Sequence, residues 1–115
     1  MTPNSAVPAV TLNLDHVPVP AGQSLSGAPT TGAADVGELA GVEVGVWEMS
    51  PGTMSDVEAD EIFVVLTGSA TVEFADGSPT LTLRPGDVVR LAEGAETVWT
   101  VTETLRKVYL TPTAG

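Results

Sequence analysis

The chain has 115 residues, with four Lys plus Arg against fifteen Asp plus Glu, one His and no Cys; this suits a single domain with a modest core, and 43% apolar residues are too many for a disordered acidic chain. A formal charge of −11 argues against nucleic acid and anionic membrane surfaces as partners, because phosphates would be repelled, while the absence of Cys excludes disulfides, thiolate nucleophiles and Cys-ligated metal centres. No apolar run approaches the ~20 residues that cross a bilayer, and the N-terminus lacks the basic and apolar segments of a signal peptide, so the expected location is a reducing cytoplasm.

Residues 1–40 are rich in Pro, Gly, Ser, Thr and Ala. Their one short alternation, Ala9 to Leu14, predicts an edge strand. Ala21 to Gly37 shows no periodicity and is expected to be a loop packed on the body. From residue 41 the character changes. Val42, Val44 and Val46 alternate with Glu43, Gly45 and Trp47, the period of a strand, and Pro51-Gly52 breaks it. Ile62 to Leu66 is a continuous apolar run, which predicts a strand buried on both faces. Thr67-Gly68 is expected to turn the chain, and Ser69 to Phe74 alternates again. Asp76-Gly77 is a hairpin signal. Leu81 and Leu83, Val88 to Leu91, Val98 to Thr102 and Leu105 to Leu110 form further short strands. Pro85-Gly86-Asp87 and Glu93-Gly94 supply turns among them. Gly or Pro every few residues and many β-branched positions leave no room for a helix. Short strands at intervals of about 8–12 residues predict an all-β sandwich or barrel.

The order Gly52, Glu61, Gly68, then Pro85-Gly86-Asp87, then Glu93-Gly94 and Trp99 resembles the cupin superfamily of small β-barrels. Gly45-Val46-Trp47-Glu48, Glu61 to Gly68, Trp99 and Arg106-Lys107-Val108-Tyr109 resemble more closely the small branch typified by the ureidoglycine aminohydrolase cupin domain. The resemblance covers roughly residues 40–111. It implies an all-β, cupin-type double-stranded β-helix, a jelly-roll-like barrel of two antiparallel sheets. Residues 41–115 would form the barrel and residues 1–40 an irregular arm with an edge strand, packed on it. A homodimer is also implied.

Cupin metal sites usually hold their ion with three His and one Glu. Carried over by position, the first two His fall at Met54 and Asp56, or at Ser55 and Val57, and the third at Thr97. The only His, His16, lies outside both motifs. The usual site cannot form, so neither a metal nor another cofactor is expected.

The remaining candidates are read from strand parity. Glu61, Phe63 and Val65 share one face of an extended segment, which in a cupin is the barrel interior. A carboxylate there is a candidate general base, ligand or substrate anchor if unpaired, and a structural group if held by an inward Arg106 or Lys107. With only four basic residues in the chain, the unpaired state is the expectation. Thr97 and Trp99 are also inward by the carry-over, and Tyr109 shares a face with Lys107. A small-molecule ligand is therefore expected at the barrel mouth, among Glu61, Phe63, Thr97, Trp99 and Tyr109. Trp47 reads as core, and Asp56 and Glu58 as a solvated rim. Arg106 and Lys107 should face opposite ways, one pairing with an acidic residue and the other reaching solvent. Two other readings stand beside the binding barrel. One is an aminohydrolase- or isomerase-like enzyme using Glu61 with an oxygen-ligated metal, and the other is a structural or regulatory barrel with a filled interior.

Overall fold

The computed structural model describes residues 1–113. Among the described residues nine strands run in chain order: β1 (Val17–Pro18), β2 (Ser24–Ser26), β3 (Thr30–Leu39), β4 (Val42–Met49), β5 (Gly52–Val57), β6 (Glu61–Phe74), β7 (Leu81–Leu83), β8 (Val88–Leu91) and β9 (Glu96–Pro112). The described residues contain no helix, and so none long and apolar enough to cross a membrane. The fold is all-β and barrel-like, as expected. Its strands form one continuous antiparallel sheet, curled on itself, rather than two separate sheets. The backbone of the curl runs β1-β3-β4-β9-β5-β2, and β6 pairs with β7, β8 and β9.

The two long strands make the sheet continuous. The C-terminal half of β9 lies between β4 and β6, and its N-terminal half between β5 and β6. The expected break between Val98–Thr102 and Leu105–Leu110 is absent, because a register shift absorbs it. The expected turn at Thr67-Gly68 is likewise a bulge inside β6, where the pairing with β9 slips between Val65 and Ala70. Gly68 makes this possible. Its φ is +94°, and a Cβ there would stand 2.7 Å from the Leu105 Cα, so only glycine lets the two backbones approach this closely.

The N-terminal region departs most from expectation. Ala9 to Leu14 is not a strand. Pro8 opens a tight turn, with Leu12 N–H donating to the Pro8 carbonyl at 2.9 Å. The stretch expected to be a loop instead contains β2 and most of the ten-residue β3. Its residues are small because the arm crosses over them. A Cβ on Gly32 would meet the Asp15 carbonyl at 2.8 Å, so apolar alternation would leave no room for the arm. β3 and β4 join through Ala40-Gly41, both at positive φ (52° and 78°), a two-residue hairpin matched to the strand twist. Arg106 clasps the arm, donating to the Ala9 carbonyl at 2.9 Å and the Leu12 carbonyl at 2.6 Å, and it also pairs with Glu48.

The core fills the inside of the curl. Phe63, Val65 and Trp99 are buried there, with Met49, Val72, Leu91 and Leu105. Ile62, on the opposite face of β6, is 45% exposed. The run Ile62 to Leu66 is therefore buried on one face only, since nothing covers its outer face as thoroughly as the barrel covers its inner one.

Candidate functional site

Four segments distant in sequence place their inward side chains around one small cavity of about 140 Å³. β4 supplies Trp47, β5 supplies Met54 and Asp56, and β9 supplies Trp99, Lys107 and Tyr109. Glu58 and Glu61 come from the end of β5 and the start of β6.

Lys107 is the centre of the arrangement. It is only 5% exposed, and its Nζ lies 2.7 Å from Glu61 Oε1. The same ammonium stands 4.2 Å from the ring centre of Phe63, 4.6 Å from that of Trp47 and 4.9 Å from that of Trp99. The negative faces of three rings and one carboxylate thus replace the water that a lysine loses on burial. The rings brace one another, with Trp47 and Phe63 at 5.6 and 5.8 Å from Trp99. Glu61 was expected to be unpaired, and the structure corrects this. Among the described residues the ammonium is the one partner of the buried Glu61 Oε1. Arg106 and Lys107 do face opposite ways, but both are paired and neither reaches solvent.

The acidic patch divides. Asp60 points outward, pairs with Arg90 at 3.0 Å and accepts the Glu93 N–H at 3.0 Å. These partners hold its carboxyl below the usual aspartate range. Glu58, expected on a solvated rim, is 7% exposed. Its Oε2 accepts from the Thr97 hydroxyl at 2.6 Å and from the Trp99 indole at 3.0 Å. Parity explains the miss. β5 ends at Val57, and the Glu58 N–H turns to the Ala95 carbonyl, so the count restarts before Glu61 and both carboxylates point inward. The signal was available in the even spacing of Met54, Asp56 and Glu58. Burial, and then the Glu58 charge, push the Asp56 carboxyl above its ordinary range. Burial, followed by the nearby charges of Glu43, Asp35 and Glu61, pushes the Tyr109 phenol up as well. The Tyr109 ring lies against Gly45, its direct partner in the β4–β9 ladder, where any side chain would displace it.

Of the residues expected at the mouth, Glu61, Trp99 and Tyr109 line the cavity. Phe63 stands behind, under Lys107 and Trp99. The Thr97 hydroxyl is engaged with Glu58, and the residue borders a separate, more open groove of about 540 Å³. That groove carries carboxylates from Glu73, Glu96 and Asp56, which borders both spaces, but no basic residue. The inner cavity is the better-built site, because it combines buried charge with aromatic walls.

The residues do not fit the metal usual for this fold. Met54 and Asp56 occupy the carried-over ligand positions facing the cavity, and the Lys107 ammonium stands against Glu61. Among the described residues no group of three or more His, Cys, Asp or Glu side chains could hold an ion.

The comparisons with known proteins agree with this architecture. No curated protein matches the chain. A protein of unknown function from Pseudomonas syringae pv. tomato is 27% identical with a TM-score of 0.73, over 87% of this chain. The match spans 44% of that protein's length. The EutQ protein of Clostridium difficile superposes with a TM-score of 0.72 at 17% identity, covering 95% of this chain and 86% of that one. A putative ethanolamine utilization protein Q from Salmonella typhimurium gives 0.63 at 21% identity, covering 74% and 71%. At such identities the last two likenesses carry the fold alone. The EutQ-like cupin domain family matches residues 36–109, from within β3 to the cavity's Tyr109, and the chain belongs to that family.

Proposed function

We propose that this domain is a small-molecule-binding cupin of the ureidoglycine aminohydrolase-like branch, working without the usual transition metal, with its ligand in the cavity between Trp47 and Trp99. The observation that carries the reading is convergence. Trp47, Glu61, Trp99, Lys107 and Tyr109 belong to the separate motifs that resemble that branch, and all line one cavity. At about 140 Å³ it is comparable to an apolar cavity of about 150 Å³ that takes benzene, so the ligand is limited to roughly half a dozen non-hydrogen atoms. The volume lies well below the 300–1,000 Å³ typical of drug-sized ligands.

The reading is supported by what such a site does physically. The rings offer flat apolar walls, while the carboxylates and the ammonium fix the orientation of a polar ligand. Melting curves of the purified domain against a panel of polar compounds of up to about six non-hydrogen atoms test it. At a hundred times its Kd, a true ligand adds about 2.7 kcal/mol of stability, which raises Tm by several degrees for a domain of this size. No stabilisation by any small compound would favour the filled, structural barrel. The homodimer implied by the family resemblance is a separate proposal, checked by light scattering.

A further inference from the structure

The charge inside the cavity is out of balance. Asp56, Glu58 and Glu61 face it with one basic partner, Lys107, so full ionisation leaves a formal 1 − 3 = −2. Lys107 is already committed to Glu61 at 2.7 Å and to three aromatic rings. Glu58 is satisfied by neutral donors, the Thr97 hydroxyl and the Trp99 indole; neither adds positive charge. Asp56 Oδ1 accepts the Val57 N–H at 2.9 Å and the Gln23 side-chain amide at 3.5 Å, again without a cation. The walls are indole rings, whose faces attract positive charge. Glu61 Oε1 is wholly buried, with the Lys107 ammonium as its one partner among the described residues.

We propose that the cavity binds a compact organic cation, an amidinium or ammonium of at most about six non-hydrogen atoms, seated on the Asp56 carboxylate against the indole walls. This rests on the small-molecule reading above and adds the charge of the ligand to it. An anion would meet three carboxylates for one committed ammonium. A neutral ligand would leave the excess charge uncompensated in a partly desolvated site. A planar amidinium can give two parallel N–H bonds to one carboxylate, so Asp56 alone is enough to anchor it, whereas a metal ion would need several ligands.

The experiment uses three near-isosteric probes of four non-hydrogen atoms: acetamidinium, acetamide and acetate. Each is titrated at neutral pH into the ¹⁵N-labelled full chain, and the indole N–H resonances of Trp47 and Trp99 are followed. The expected result is saturable movement of both resonances by acetamidinium, with affinity at least about tenfold greater than for either isostere. Asp56→Asn should weaken acetamidinium at least about tenfold while melting no lower than wild type, which shows that the fold is kept. Equal or tighter binding of acetamide or acetate at the same resonances overturns the cation inference and leaves the small-molecule reading standing. Unchanged acetamidinium affinity in Asp56→Asn overturns the assigned anchor and with it the proposal. If no probe moves either indole, the proposal fails, and the compound panel above decides the reading beneath it.

Discussion

Replacing Lys107 by Met keeps the length and much of the apolar stem but removes the charge. At 2.7 Å from Glu61 Oε1, the pair's Coulomb attraction is about 6 kcal/mol at an effective dielectric near 20. Much of that is offset by taking both groups out of water, so the net value of the pair is far smaller. The substitution does not return the pair to water, however; it leaves Glu61 buried with no cation. Breaking a buried pair in this way typically costs about 3–5 kcal/mol, and the three ring contacts add to the loss. The double variant Glu61→Gln, Lys107→Met removes both charges and should recover most of the loss, leaving a coupling of at least about 2 kcal/mol. Urea melts followed by tryptophan fluorescence measure all four corners of the cycle, since Trp47 and Trp99 both flank the ammonium. A loss below about 1 kcal/mol for Lys107→Met, or a double variant no better than the single one, would refute the pairing and the cage built on it.

Asp56 titrates in the opposite sense to a salt-bridged carboxylate. Its folded-state value is raised, chiefly by burial, so the folded protein holds the proton more tightly than the unfolded chain and stability falls as pH rises through the window between the ordinary and the raised value. Asp56→Asn should therefore stabilise the domain at neutral pH. The gain should shrink as pH falls through the raised value, and a gain that grows on acidification would show the sign to be wrong; thermal melts across acid pH decide it. Phe63 is fully buried, and Phe63→Ala should cost about 3–5 kcal/mol in urea melts, against under about 1 kcal/mol if its parity were misread. Ala40 sits at φ 52° in a hairpin position that favours Gly or Asn, so Ala40→Gly should stabilise by about 1 kcal/mol by calorimetry; destabilisation would show that the left-handed turn is not formed.

The barrel was legible because its inner strands are half-buried. Residues Val42 to Trp47 alternate cleanly, and the glycines and prolines mark most of the turns. What escaped was set by contacts between distant segments. β3 lacks an apolar pattern because the arm lies against Gly32. The bulge at Gly68 resembles a turn because both need positive φ. Glu61 was expected alone on the strength of the chain's few basic residues, yet two of the four are inside the fold, where a short supply of cations matters most. Parity correctly put Lys107 and Tyr109 on one face. It could not show that this face is the one Glu61 occupies across the β6–β9 ladder, because strand pairing is a tertiary fact. Glu58 was misplaced by carrying one alternation through a turn that resets it.

A high-resolution crystal structure of the domain soaked with acetamidinium tests the central claim most directly. The account expects the Lys107 ammonium against Glu61, under the three rings, and the amidinium in the space of about 140 Å³ beside Asp56. A collapsed interior, with Trp47 and Tyr109 filling that space and Lys107 turned out to solvent, would contradict it.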